Sequence, residues 1–155
     1  MPAIVKQIFM SKDGPVIIIE DDHDDQDILN EALTEIGVQN PIVFFDKGDE
    51  ALNYLMSTRE KPFLILCDIN LPGMDGTTLR RKIFEIDYLR KKSIPFIFLT
   101  TTARSEAVEE AYRLSVQGYF EKQNHFETLK QRLTLIIDYW QACIHPNGFD
   151  SLVSK

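Results

Sequence analysis

The sequence predicts a doubly wound α/β domain on a five-stranded parallel sheet, and three observations carry that expectation. First, Val16–Ile19, Ile42–Phe45, Leu64–Cys67 and Phe96–Leu99 are continuously apolar rather than alternating, the pattern of strands covered on both faces; Gly118-Tyr119-Phe120 is a shorter fifth run. Second, each run is followed by apolar residues at helical spacing, so the strands are joined by helical crossovers and the helices lie on both faces. Third, the runs stop at polar groups of complementary kinds: Glu20-Asp21, Asp68, Thr100 and Lys122. In an open parallel sheet, ligands and chemistry gather beyond the carboxyl ends of the strands.

Residues Met1 to Gly14 hold Ile4, Val5, Ile8 and Phe9 without a clear period. An extra strand, a short helix and a partly ordered arm all remain open for this extension. Gly14-Pro15 starts the β-branched first strand. Asp24 or Asp25 then caps a helix carrying Ile28, Leu29, Ala32, Leu33 and Ile36, which Gly37 closes. The second strand leads past Gly48 into a helix with Ala51, Leu52, Tyr54 and Leu55 inward. After the third strand, Pro72-Gly73 makes a turn, and a helix runs from about Thr77 to Ile86 with Leu79 and Ile83 inward. The fourth strand feeds a helix carrying Ala107, Val108, Ala111, Tyr112 and Leu114. The last helix spans about Phe126 to Cys143, with Leu129, Leu133, Ile136, Ile137 and Trp140 on one stripe.

Composition narrows the function. The chain has 155 residues, 44% hydrophobic and 26% charged, which fits one soluble domain with its own core. A net charge of −7 argues against a general nucleic-acid grip, which needs a basic face. Cys67 and Cys143 are the two cysteines; they have neither disulfide-framework nor metal spacing and fit a reducing compartment. Charged residues interrupt the N-terminus, so neither a signal peptide nor a membrane span is expected. The expected location is cytoplasmic.

If the first and third strands are neighbours, Glu20, Asp21 and Asp68 meet in one pocket. Clustered carboxylates need a cation or raised pKa values. A hard divalent ion is the natural counter-charge, and Mg²⁺ suits because it keeps waters and phosphate oxygens in its remaining positions. With the Thr100 hydroxyl and the Lys122 ammonium added, the pocket suits a tetrahedral dianion. An aspartate there can act as a nucleophile toward phosphorus and become an acyl phosphate.

These motifs resemble the receiver domains of two-component response regulators: Ile19-Glu20-Asp21-Asp22, Asp68-Ile69-Asn70-Leu71-Pro72-Gly73-Met74-Asp75-Gly76, Leu99-Thr100-Thr101 and Gly118-Tyr119-Phe120-Glu121-Lys122. The resemblance implies a flavodoxin-like sheet of order 2-1-3-4-5 over residues 15–145, with a short tail at 146–155. It implies Asp68 as phosphoacceptor, receiving its phosphoryl group from the phosphohistidine of a histidine kinase or a histidine phosphotransfer protein. It implies Mg²⁺ held by Asp21, Asp68 and the Asn70 carbonyl, with Glu20 acting mainly through water. Thr100 and Lys122 would bind phosphate oxygens. Thr100 and Tyr119 would be the switch pair that remodels the face formed by the fifth strand and its flanking helices.

The chain also departs from the family. The family usually has a cis proline after the active-site lysine, and here that residue is Gln123. A cis bond before a non-proline costs about 3 kcal/mol, so the Lys122-Gln123 peptide is open between cis and trans. The family's usual output domain is also absent from the sequence, so a separate protein target is expected. The narrower resemblance is to single-domain regulators that partner bacterial phytochrome kinases. Residues Asp22, Asp24, Asp25 and Asp27 read as helix N-terminal acidity, and His23, His125 and His145 as neither phosphodonors nor metal ligands. If the last helix overhangs the sheet, Tyr139, Trp140 and Ile144 are exposed, and homodimerisation through it is the hypothesis. The competing class is a Mg²⁺-dependent phosphohydrolase with an aspartate nucleophile. It needs a second acid two places after that aspartate, where this chain has Asn70. A flavin carrier needs a phosphate loop where this chain places acids.

Overall fold

The computed structural model describes residues 10–146. Most of the N-terminal extension (1–9) and of the tail (147–155) therefore lies outside the described residues, and the three readings left open for the extension stay open over those positions. Five parallel strands, β1 (Val16–Ile19), β2 (Ile42–Phe45), β3 (Leu64–Cys67), β4 (Phe96–Thr100) and β5 (Gly118–Glu121), form one sheet in the order β2-β1-β3-β4-β5. Register places Ile19 beside Cys67, and Thr100 beside Glu121. The residues that follow β1 and β3 therefore emerge side by side.

The continuous apolar runs are divided by the two faces of the sheet. Ile17, Ile19, Ile65, Cys67, Phe96 and Phe98 point into a core shared with α2 (Gly48–Ser57), α3 (Gly76–Glu85), α4 (Asp87–Lys92) and α5 (Ser105–Arg113). Val16, Ile18, Leu64, Leu66, Ile97 and Leu99 point the other way, against α1 (His23–Glu35) and α6 (Phe126–Ala142). Both cores bury the residues of β1, β3 and β4, which is why those runs carry no alternation, while β2 at the sheet edge is half-buried throughout.

Local chemistry sets the helix ends. Asp22, not Asp24 or Asp25, caps α1: its carboxylate accepts from the Asp25 amide at 3.1 Å. Gly37, at φ +85°, closes that helix with bonds from Gly37 N to Thr34 O and from Val38 N to Leu33 O. Asp75 caps α3, accepting from Thr78 N at 2.8 Å. The single helix expected to end near Ile86 is followed at once by α4, with Ile86 capping both. The Asp87–Arg90 and Asp87–Lys91 pairs, three and four residues apart, support this extra turn and a half.

The last helix ends at Ala142, one residue before its expected end. Tyr139 and Ile144 are 64% and 86% exposed, as an overhanging helix requires, while Trp140 is half-buried. His145 is buried, with a ring nitrogen 2.6 Å from the Phe63 carbonyl and its ring stacked on Phe63. It pins the chain after α6 to the start of β3. No helix among the described residues is long and apolar enough to cross a membrane.

Candidate functional site

Because β1 and β3 are adjacent, Glu20, Asp21 and Asp68 converge, with one oxygen from each within 4.8 Å of the others. Glu20 and Asp68 are only 2% and 6% exposed, whereas Asp21 faces solvent. Each strand edge also supplies its partner. Lys122, just past β5, places its ammonium 2.5 Å from Glu20 Oε1, 2.9 Å from Asp25 Oδ2 and 3.0 Å from Asp68 Oδ2. Thr100, the last residue of β4, donates its hydroxyl to Asp68 Oδ1 at 2.7 Å. The Asn70 amide donates to the same oxygen at 3.2 Å.

The electrostatics follow from burial and partners. Burial raises the Glu20 carboxyl above the usual carboxylate range, against the opposing pull of Lys122 and the Asp22 amide. Burial alone would lower Lys122, but its hydrogen bonds to Glu20, Asp25 and Asp68 outweigh that and raise it above the ordinary lysine value. One cation thus serves three carboxylates, and Asp21 adds a fourth nearby with no hydrogen bond from its side chain among the described residues. The donor set is entirely hard oxygen and negatively charged, so it fits a divalent cation.

Two further features position Asp68. Gly76 opens α3 against the Asp68 peptide so tightly that a Cβ there would lie 2.3 Å from the Asp68 carbonyl oxygen. The loop after β4 is stitched to the loop after β3: Asn70 Nδ2 donates to Thr102 Oγ1 at 2.9 Å, and the Tyr119 hydroxyl donates to the Thr102 carbonyl. Tyr119 is half-buried against Phe98, and burial raises its phenol.

All six residues singled out in the sequence, Glu20, Asp21, Asp68, Asn70, Thr100 and Lys122, are therefore gathered at one sheet edge, with Tyr119 one link away through Thr102. Two participants were not anticipated. Asp25, read as helix N-terminal acidity, turns toward the site and pairs with Lys122. Thr102 bridges Asn70 and Tyr119. Every described peptide bond is trans, the Lys122-Gln123 bond included.

A flavodoxin-like sheet carrying an acid–lysine–hydroxyl cluster at its carboxyl edge defines a phosphoacceptor class of α/β domain. Residues 16–134 match the response regulator receiver domain profile, and the chain belongs to that family of phosphorylation-dependent signalling domains. It is 30% identical over 129 residues to the probable methanogenesis regulatory protein FilR2 of Methanothrix harundinacea, covering 81% of this chain and 82% of that one. It is 27% identical over 130 residues to response regulator Rcp1 of Synechocystis, covering 81% and 87%. The crystal structure of the Mn²⁺-bound form of Rcp1 superimposes with a TM-score of 0.73 at 26% identity, over 84% of this chain and 96% of that one. The phosphorylated cyanobacterial phytochrome response regulator RcpA gives a TM-score of 0.74 at 28% identity, over 83% and 94%.

Proposed function

We propose that Asp68 is the phosphoacceptor of this domain. The observation that carries the reading is the placement of its carboxylate between the Lys122 ammonium and the Thr100 hydroxyl, beside Glu20 and Asp21. In the reaction an Asp68 oxygen attacks phosphorus in line. The P–N bond to a donor imidazole breaks, an O–P bond forms, and the imidazole leaves with a proton from solvent. Of the two oxygens, Oδ1 is held by Asn70 N and Thr100, while Oδ2 meets Lys122 alone among the described residues. Lys122 then shifts from Glu20 and Asp25 toward the phosphoryl oxygens, and the Thr100 hydroxyl turns from Asp68 to the same group.

Glu20, Asp21, Asp68 and the Asn70 carbonyl are the residues that would hold Mg²⁺. When bound, that ion neutralises charge on the transferring phosphoryl group and on the carboxylates. Movement of Thr100 would pull on the Thr102 loop and so on Tyr119, the link from site to surface.

The domain, taken as residues 15–145, acts on its own phosphorylation and dephosphorylation rather than turning over a separate substrate. Asn70 occupies the place where an aspartate-dependent phosphohydrolase needs an acid, and its amide is engaged with Thr102. The donor is a histidine kinase or a histidine phosphotransfer protein in the cytoplasm, and the likeness to the phytochrome response regulator RcpA supports a kinase of phytochrome type. Output through a separate protein, and self-association through the exposed Leu135 and Tyr139 of α6, belong to the same reading.

The test is incubation with Mg²⁺ and acetyl phosphate. One acid-stable, base-labile adduct of phosphoryl mass is expected on Asp68, absent in Asp68→Asn and absent with chelator. An adduct that survives in Asp68→Asn overturns the assignment, and steady phosphomonoester turnover favours the hydrolase.

A further inference from the structure

At the opposite edge of the sheet, where β4 and β5 begin, a cleft of about 510 Å³ opens between α3, α4 and the segment that follows α6. Volumes of this order hold small organic ligands. Arg80 forms part of its lining and is only 7% exposed, yet among the described residues no carboxylate pairs with it. Its Nε donates to the Leu114 carbonyl at 2.8 Å and Nη2 to the Ser115 carbonyl at 3.1 Å. The guanidinium carbon lies 5.3 and 5.8 Å from the ring centroids of Phe96 and Phe84. Its Nη1 makes no hydrogen bond to the described residues.

Carbonyls at the end of α5 offset part of this charge, but burial still pulls the guanidinium down to about 10, with no acid opposing it. A second guanidinium, Arg90, lines the cleft with its charge paired to Asp87 at 2.8 Å. Ser93 and Ser115 add hydroxyls, and Phe84, Trp140 and Ile144 supply apolar wall. A buried cation without a counter-ion is costly. Here it lines an open cleft whose other side is apolar.

We propose that this cleft is a binding site for a small organic anion, with a carboxylate on Arg80 and an aromatic or aliphatic body against Phe84 and Trp140. The site is separate from the phosphoacceptor centre and does not depend on the function proposed for it.

The chain contains one tryptophan, so Trp140 fluorescence reports occupancy directly. Phenylacetate titrated into the full chain is expected to give a saturable change. Phenylacetamide, the same body without the charge, should bind at least about tenfold more weakly, the scale of one charge-assisted hydrogen bond. Inorganic phosphate, which has no apolar body, should also be weaker. Arg80→Leu should abolish the response while circular dichroism shows a folded chain. Should that variant fail to fold, the exposed rim decides: Ile144→Glu weakens phenylacetate binding and Ile144→Lys strengthens it. The proposal is overturned if phenylacetate does not saturate, if acid and amide bind equally, if phosphate binds as tightly as phenylacetate, or if the Ile144 substitutions leave binding unchanged.

Discussion

Where the strands end, Lys122 meets three carboxylates within 3.0 Å, and Asp21 brings a further acid close by. Where they begin, Arg80 is more fully buried than the half-buried Lys122 and, among the described residues, meets two carbonyls and two ring faces. The first edge holds an excess of negative charge that one ammonium does not balance, which suits it to a metal and a phosphoryl group. The second holds, in Arg80, a positive charge that no acid among the described residues meets. Helix α3 joins the two, beginning at Gly76 under the Asp68 peptide and carrying Arg80 one turn later. Burial of a charge is therefore not informative by itself; what surrounds the charge tells which ligand the site lacks.

The largest expected effect comes from removing the cation at the acidic edge. Lys122→Met leaves Glu20 and Asp68 buried without a counter-charge and should cost about 3 kcal/mol in urea unfolding at neutral pH. Added Mg²⁺ should recover part of it through ligand linkage. An unchanged midpoint would mean that the carboxylates do not depend on the lysine.

Next is the joint between the edges. Gly76→Ala would force a Cβ to within 2.3 Å of the Asp68 carbonyl oxygen and 2.8 Å of Ile69 Cα, both backbone. A loss of about 2–3 kcal/mol is expected, together with slower acetyl phosphate labelling, because Asp68 must shift to make room. Labelling at the wild-type rate would show that α3 does not position the carboxylate.

Arg80→Leu sharpens the contrast. It removes an unneutralised buried charge and leaves an apolar side chain against two rings, so its stability should stay within about 1 kcal/mol of wild type. A cost matching Lys122→Met would make Arg80 a structural clamp on the end of α5.

The smallest effect is one of pH. The Glu20 carboxyl is raised on folding, so the native state keeps its proton to higher pH than the unfolded chain does. Relative to Glu20→Gln, wild-type stability should therefore fall as pH rises from the ordinary value of 4.5 through the raised folded value, and then level off. The change is read as the difference in urea midpoint between the two proteins. Lys122 runs differently: raised on folding, it contributes stability that is complete below 10.5 and is lost only as alkali titrates the folded protein.

Much of this was legible from residue order. Unbroken apolar runs marked β1 to β4; β1, β3 and β4 are buried on both faces, and β2 keeps its apolar run although it is half-buried at the sheet edge. The acid, hydroxyl and ammonium at their ends named the site, since strand ends of a parallel sheet share one edge. The cap of α1 was misassigned by two or three residues, because Asp22, Asp24 and Asp25 all satisfy the local preference and only backbone angles choose among them. Helix α4 was missed although Asp87 stands three and four residues before Arg90 and Lys91; its six residues carry too little apolar periodicity to stand out. Asp25 and Thr102 escaped because their roles depend on which way a side chain turns in space.

By itself, the sequence determined the alternation of strand and helix, the two-faced burial and the identity of the charged residues at the strand ends. These follow from hydrophobic periodicity and side-chain chemistry, both local properties of the chain. The tertiary structure alone decided that Lys122 is shared by three acids, that Asp25 is one of them, and that Arg80 is buried without one among the described residues. Such pairings join residues far apart in sequence, as with Lys122 and Glu20 at a separation of 102. They exist only once crossover connections bring the strands into order and desolvation sets how strongly each charge needs its neighbour.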